Sequence, residues 1–549
     1  MSWRSTRAAL HGAAAARQIA VIDLGSNSWR LVIYSYQPEP PKTPPGGPPA
    51  TATWPSQAPL VWWKQTDELY EAVRIAEGMG TSGALSERAI ARGLETLVVF
   101  ERFCRAGGLT PDDVHVIATS AIRDASNRAE FLERARAATG YEVEVLSARD
   151  EAHYGYVAAV NSSTLTDGVV LDIGGGSVQL IRVAGRREAD LASYPLGAVR
   201  VTERFLSDSP ANRPARRKDL QRVRNHVERT LRDAAWLTGH GGRLVGTGGA
   251  VRNLAAAAQR AAFGSNGGID LGVQGFVITA DALDQLVATL AALPPAERST
   301  VPGIKPGRAD IILAAALTLQ TVVAVGGFDG IEATEAGLRD GIFLARTLLD
   351  EADPLFPDVR AAAVRNLAIQ YEADLPHTEH VAHLAMQMHE SLVGAGMFKP
   401  IPGEAGLLWA AAMLHDVGMT ISYNDHHKHS RYLIVSAELP GFDPRERALI
   451  GQITRYHRKG APKLGEWAKL GRPGDEEMLD RCSMILRLAE HLERGRDQSV
   501  SEARLQTNGD GIALHLHADG DLTLPRWSVE RYGDDEAFRR VFNRPLVIG

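Results

Sequence analysis

Two stretches of the chain share one pattern of apolar and polar positions. Residues 19–34 read IAVIDLGSNSWRLVIY, and residues 168–183 read GVVLDIGGGSVQLIRV. Each is an apolar run, an aspartate, a glycine- and serine-rich turn, and a second run in which apolar positions alternate. That alternation predicts two strands joined in a β-hairpin with an Asp at its tip. In register, Asp23, Gly25 and Ser28 match Asp172, Gly174 and Ser177, all at an offset of 149 residues. A single Asp-x-Gly turn is commonplace. Two of them one domain length apart predict related lobes facing a cleft, and successive backbone N–H groups in such turns form anion-binding nests.

After the first hairpin, Gln37 to Pro59 holds nine prolines in 23 residues, which predicts an extended, solvated loop. The pattern then predicts a helix over 86–106, a strand over 114–118, a helix over 128–139, a strand over 142–146 and a helix from Asp150. That alternation is the α/β signature. Strand and helix recur after Asp172, with a basic helix around Arg213–Arg232. A strand over 243–246 then leads into Thr247-Gly248-Gly249 and another helix. From about Asp353 to Asp497 only helical periodicity is seen. The tail returns to short alternating strands, Ile512–His517 and Leu522–Leu524, and ends in a short helix. The expected organisation is a flexible extension over 1–17 and an α/β lobe over 18–158 carrying the 37–59 insertion. A second α/β lobe over 159–347, a helical domain over 348–505 and a small α+β tail over 506–549 follow.

A length of 549 residues exceeds what one core serves, in keeping with several domains. The net charge of −6 argues against general nucleic-acid or membrane binding. It leaves room for an anionic substrate held by local basic patches. Cys104 and Cys482 are too few and too far apart for a disulfide framework, which points to a reducing compartment. The N-terminal stretch lacks the apolar core of a secretory signal, and no apolar run approaches the roughly 20 residues that span a bilayer. A soluble, cytoplasmic protein is expected.

Phosphate cleavage needs donors for anionic oxygens, usually a divalent cation, and a group that orients or deprotonates the attacking water. Backbone donors would come from Gly25, Ser26, Asn27 and Ser28, from Gly174, Gly175, Gly176 and Ser177, and from Gly248 and Gly249. Asp23 and Asp172 would face each other across the cleft and hold a magnesium ion directly or through water. The alternative is that each carboxylate only accepts N–H bonds from its own turn.

Six ordered segments carry a resemblance: DLGSNS (23–28), ATSAIRDASN (118–127), DEAHYGYVAAV (150–160), LDIGGGS (171–177), GTGGAVRNLA (246–255) and EAGLRDGI (335–342). Together they resemble the exopolyphosphatase / guanosine pentaphosphate phosphohydrolase family over roughly residues 18–345, and the helical segment is similar to that of its long members. The resemblance implies an actin-like ATPase fold of two lobes, metal-dependent hydrolysis of a terminal phosphate, and Mg²⁺ or Mn²⁺ as cofactor. It implies that Glu151 activates water and that Arg123 contacts substrate phosphate, as a guanidinium is suited to do. A helix-opening glutamate and an arginine paired with Asp124 or Asp150 are the plainer readings. Ser120 and Asn127 read as loop braces. Where the family usually reads Gly-Gly-Gly-Ser-Thr-Glu, this chain has Gln179 at the last position, an amide that coordinates weakly and contributes no charge. A two-fold dimer is implied by resemblance alone.

The helical segment carries a second constellation: His377, His415-Asp416, the run His426-His427-Lys428-His429, His457 and Glu493. It resembles the HD metal-dependent phosphohydrolases, which implies a ligand set of His377, His415, Asp416, His429, His457 and Glu493, histidine and carboxylate being suitable ligands. The alternative is a scaffold whose histidines pack or line a substrate path. Polyphosphate, a long linear anion, calls for a basic track. The candidates are Arg213, Arg216, Arg217 and Lys218, then Lys428, His429 and Arg431, then Arg455, Arg458 and Lys459, each of which also fits a solvated helix face. The expected activity is exopolyphosphatase, with hydrolysis of guanosine pentaphosphate as the alternative. A nucleotide-sensing regulator and a kinase of the same superfold are more distant readings.

Overall fold

A computed structural model describes residues 16–38, 60–207, 212–264, 271–348, 354–518 and 520–548. The expected N-terminal extension up to residue 15 and residues 39–59 of the proline-rich stretch lie outside the described residues. Arg17 already opens the first strand, and Gln37 and Pro38 close the second. The chain divides into two compact units, residues 1–266 with 272–359, and residues 267–271 with 360–549.

The first unit contains two sheets built on the repeated hairpin. β1 (Arg17–Leu24) pairs antiparallel with β2 (Trp29–Pro38) and parallel with β4 (Val114–Ala118). β3 (Leu60–Glu71) and β5 (Val143–Val145) complete the order β3-β2-β1-β4-β5. In the second sheet β6 (Gly168–Ile173) pairs antiparallel with β7 (Val178–Ala184) and parallel with β9 (Arg243–Thr247). With β8 (Arg187–Tyr194), β10 (Val277–Thr279) and β11 (Gly330–Ala333) the order is β10-β11-β9-β6-β7-β8. The repeat seen in the sequence is therefore a repeat of topology. Register carries it to single residues: Asp23 stands opposite Arg30, and Asp172 opposite Gln179.

Alternation along each strand buries one face against helices. Ile22, Leu24 and Trp29 pack with Phe100 and Phe131, brought by helices Glu87–Ala106 and Arg128–Thr139. The first of these begins at Ser86, whose hydroxyl accepts the Ala89 N–H as an N-cap. In the second sheet Val169, Leu171 and Leu180 share a core with the almost wholly apolar helix Ile312–Gly326.

Two helices cross-connect the sheets, and they revise the expected boundaries. Position 158 falls inside the helix Ala148–Ser162. The helix Leu338–Thr347, expected in the second lobe, returns to the first sheet, where Phe343 stacks on Tyr34 at 4.3 Å and the Tyr34 hydroxyl donates to Asp340 at 2.8 Å. A β-carbon at Gly341 would overlap the carbonyl of Tyr154, so glycine sets how closely these two helices pack.

The second unit is a helical bundle with a three-stranded sheet, β12 (Val500–Asn508), β13 (Gly511–Ala518) and β14 (Leu546–Ile548), in the order β12-β13-β14. A boundary at 505 falls inside β12. Val500, Leu505, Ile512, Leu514, Phe538 and Phe542 join the core of the bundle helices, so the tail is not a separate body. The expected strand at Leu522–Leu524 is the start of the helix Thr523–Tyr532, because Asp521 accepts the backbone N–H and hydroxyl of Thr523 at 2.9 and 2.7 Å and turns the chain. The expected short helix is present as Asp535–Phe542, and after it the chain adds β14, parallel to β13. Among the described residues no helix is long and apolar enough to cross a membrane.

Candidate phosphate-binding cleft

Both hairpin turns of the first unit open onto one cleft. Gly25, Ser26, Asn27 and Ser28 line it from the first turn, and Gly174, Gly175 and Ser177 from the second. Gly248 and Gly249, between β9 and the helix Gly249–Phe263, bring a helix N-terminus with its unpaired N–H groups to the same space. Gly248 has φ 96°, and a β-carbon there would press to 2.6 Å from the Ile173 carbonyl and 3.0 Å from Asp172 Oδ1. Only glycine fits.

Three carboxylates face this space: Asp23, Glu151 and Asp172. Burial pushes the Asp23 carboxyl up, against the opposing pull of Arg339 and Arg30. Burial likewise raises Asp172, with the charge of Asp23 adding to it. Glu151 opens the helix Ala148–Ser162, which Ser147 caps by accepting the Asp150 N–H. Its carboxyl is raised chiefly by burial, opposed by Arg123, and raised further by Asp172 and Asp23. Carboxylates that resist ionisation side by side suit a divalent cation. Asp23 Oδ1 is buried with no hydrogen-bond partner, an oxygen such a cation would satisfy. Asp23 and Asp172 thus fit a hard cation with oxygen ligands.

The sequence reading missed the arginines. Arg30, Arg252, Arg308 and Arg339 all line the cleft. Arg339 Nη1 lies 3.2 Å from Asp23 Oδ2, and Arg252 Nη1 donates to the Glu335 carbonyl at 2.6 Å. Arg308 is pushed down to about 10 by burial and then by the charges of Arg252, Arg30 and Arg339. A β-carbon at Gly249 would overlap its guanidinium. Asn27 Nδ2 and Arg339 Nε are buried donors without partners. Arg252 and Arg339 stand inside the GTGGAVRNLA and EAGLRDGI segments, where they were legible; nothing local to Arg308 marks it.

Other expected residues stand behind the cleft rather than in it. Arg123 does not line it: its Nη1 donates to Glu151 Oε2 at 2.7 Å and to the Leu146 carbonyl at 3.0 Å. Gln179 is buried and donates its amide to Ser177 Oγ at 2.9 Å, while Ser177 Oγ donates to Glu151 Oε1 at 3.4 Å. Gln179 is not among the residues that line the cleft, and this hydrogen bond uses its amide nitrogen, not the oxygen that would meet a metal. Gly176 also stands back, where a β-carbon would overlap the Ser120 hydroxyl. Ser120 lines the cleft as well as bracing Ser26 at 3.1 Å, and Asn127 is a brace, exchanging two hydrogen bonds with Leu85.

None of the expected track residues of the first unit lines the cleft. Arg216 pairs with Asp219 at 2.6 Å at the start of the helix Arg217–Leu231, and Arg213, Arg217 and Lys218 are exposed without lining the cleft. Within the second unit, Lys428 pairs with Asp425 and Arg431 with Glu466, Arg455 and Arg458 lie over Tyr456 and Tyr423, and Lys459 is exposed.

Of the histidine constellation, His377, His415, Asp416 and His457 come together. His429 does not: it sits one turn into the helix His426–Ser436, with its β-carbon against Gly418. His426, the first residue of that helix, takes the inward place. Glu493 also fails, because the helix Asp475–Leu492 ends just before it and its Oε1 accepts the Gln498 N–H at 3.2 Å. Burial pushes its carboxyl up to about 7. Glu490, one helical turn earlier, faces the histidines instead.

Two duplicated turns and a helix N-terminus converging on buried carboxylates and guanidinium groups define a phosphate-handling cleft in a two-sheet α/β fold. The profile of the Ppx/GppA phosphatase family matches residues 66–350, and that of Ppx/GppA phosphatase domain III matches residues 359–524. The chain belongs to the Ppx/GppA phosphatase family and is a hydrolase acting on phosphoanhydride bonds. It is 27% identical over 535 residues to a guanosine-5'-triphosphate,3'-diphosphate pyrophosphatase of Vibrio vulnificus, covering 96% of this chain and 97% of that one. A protein of the same name from Vibrio atlanticus is 26% identical over 520 residues, covering 93% and 95%. Among solved structures, an exopolyphosphatase from Cytophaga hutchinsonii matches with a TM-score of 0.51 at 22% identity, over 60% of this chain and 98% of that one, a likeness of fold.

Proposed function

We propose that the cleft of the first unit removes the terminal phosphate from inorganic polyphosphate. The observation that carries this reading is the set of four arginines around a cleft whose described lining includes no aromatic side chain. Such a lining suits the oxygens of successive phosphates, for which guanidinium groups are apt partners. In this reading Glu151 takes the proton of the attacking water. Burial raises its carboxyl, which makes it a stronger base once it is ionised. Arg252, Arg308 and Arg339, with the N–H groups at Gly248 and Gly249, stabilise charge developing on the phosphoryl oxygens. Asp23 and Asp172 would hold Mg²⁺ or Mn²⁺, which supplies charge neutralisation at the transferring group. Arg123 positions Glu151 and reaches phosphate only by exchanging that partner.

Hydrolysis of guanosine pentaphosphate is the second reading, favoured by the curated relatives that match along nearly the whole chain. Orthophosphate release from long-chain polyphosphate and from guanosine pentaphosphate, measured in parallel with Mg²⁺, separates the two. Under the proposal polyphosphate is the better substrate, and Glu151→Ala lowers turnover by about 10²–10⁴-fold. Release from the nucleotide alone promotes the second reading. Release from neither, with Mg²⁺ or Mn²⁺, sinks both.

A further inference from the structure

We propose, resting on the reading of Glu151 as the base of the cleft, that Arg200 is a positioning residue. It fixes the second glycine-rich turn and Glu151 as one unit. The turn is held from behind by the helix Ala198–Phe205, which starts at Gly197, where a β-carbon would overlap the Gly175 carbonyl. The Ala198 N–H donates to the Gly174 carbonyl at 3.0 Å, and those of Val199 and Arg200 donate to the Gly175 carbonyl at 2.9 and 3.2 Å. The next carbonyl, that of Gly176, is taken by the Arg200 side chain, whose Nε donates to it at 3.1 Å. In a trans peptide the C=O and the N–H that follows it point opposite ways. Three carbonyls drawn back to one helix therefore turn the N–H groups of Gly175, Gly176 and Ser177 away from it. Those N–H groups donate to nothing else among the described residues, which leaves them for a phosphate.

The other end of the same guanidinium reaches the first sheet's side of the cleft. Arg200 Nη2 donates to Asp124 Oδ2 at 2.9 Å, and Asp124 Oδ1 lies 3.7 Å from Arg123 Nε. Arg123 Nη1 in turn donates to Glu151 Oε2 at 2.7 Å. The turn meets the same carboxylate from the other side, Ser177 Oγ donating to Glu151 Oε1 at 3.4 Å. Both supports of Glu151 thus lead back to Arg200. In front, the first turn limits drift: a β-carbon at Gly175 would lie 3.1 Å from that of Ser26.

Arg200 does not line the cleft, so it acts through the groups it holds rather than on substrate. Its contribution to folding is small. The side chains of Arg200 and Asp124 are 42% and 41% exposed, and ion pairs so open to water stabilise a fold little. Loss of this pair should therefore show in catalysis before it shows in stability. Substrate binding keeps Arg252, Arg308 and Arg339, none of which depends on Arg200 for a hydrogen bond.

The test measures orthophosphate release by the full chain with Mg²⁺, on long-chain polyphosphate and on guanosine pentaphosphate. Wild type and Glu151→Ala report on the role of Glu151, and variants at Arg200 and Asp124 report on positioning. On whichever substrate wild type cleaves, Arg200→Met is expected to lower kcat about 10–10²-fold. KM should stay within about twofold, the signature of an interaction realised in the transition state. Arg200→Lys keeps a donor for the Gly176 carbonyl and should recover part of the loss. Asp124→Asn cuts the same path from its other side and should lower kcat by a smaller factor. The double variant should be no slower than Arg200→Met, because residues acting as one unit do not add. Thermal melts establish that each variant is folded. A folded Arg200→Met with wild-type kcat, a loss confined to KM, or losses that multiply in the double variant would overturn the positioning role and leave that of Glu151 standing. A wild type that cleaves neither substrate, or a Glu151→Ala as fast as wild type, overturns both.

Discussion

Glu151 stands between opposing influences. Burial and the charges of Asp172 and Asp23 raise its carboxyl, and the guanidinium of Arg123 lowers it, with a net raised value. A protonated glutamate is no base. The acid limb of kcat/KM should therefore lie above the ordinary glutamate value of about 4.3. Arg123→Met removes the lowering influence and is expected to move that limb to higher pH. A pH profile of both proteins checks this, and an unmoved limb would separate Arg123 from Glu151. Gln179→Glu replaces a donor to Ser177 by an acceptor and adds negative charge behind Glu151. The same profile should again shift upward, with the protein still folded.

Asp172 allows a stability test. Its carboxyl is raised in the folded state, which binds the proton more tightly than the unfolded chain does. Its contribution therefore falls as pH rises from about 4 through the raised value. Above that value a buried ionised group remains. Asp172→Asn should stabilise the metal-free protein by about 0.5–2 kcal/mol at neutral pH. The gain should shrink at acid pH, as thermal melts at both values would show. The residues that sequence made legible are those whose type and spacing mark them, the aspartates and turn glycines above all. Arg308 was not legible because its place in the cleft depends on how the chain folds back, not on its neighbours. Glu490 and Glu493 look alike in the sequence; the end of the helix at Leu492 decides between them.

Glycine fixes the spacing of whole elements here. At Gly341 a β-carbon would overlap backbone of the neighbouring helix, so Gly341→Ala must push two helices apart. A loss of about 1–3 kcal/mol is expected, read as a lowered denaturation midpoint. At Gly249 the overlap is with the Arg308 guanidinium, a side chain that is able to shift. Gly249→Ala should leave stability nearly intact and weaken substrate binding, seen as a raised KM. Most of the α/β alternation was legible because period-two and helical patterns are long there. The failures fell where local pattern was short and capping decided, as when Asp521 turned an expected strand into a helix. β12 was overlooked in part because its buried and exposed positions do not alternate cleanly.

At the scale of the molecule, the repeat gives the first unit two related frames whose charges differ. Arg30 faces Asp23 in one, and an uncharged Gln179 faces Asp172 in the other. The second unit has a different internal logic. Its core draws Phe538 and Phe542 into the bundle that begins near residue 360, and β14 at 546–548 completes its sheet. During synthesis at about 5–20 residues per second, helices made first wait roughly ten to forty seconds for these partners. For that interval the nascent bundle shows apolar surface that only later residues cover. The making of this protein thus depends on a period of shelter while it is translated.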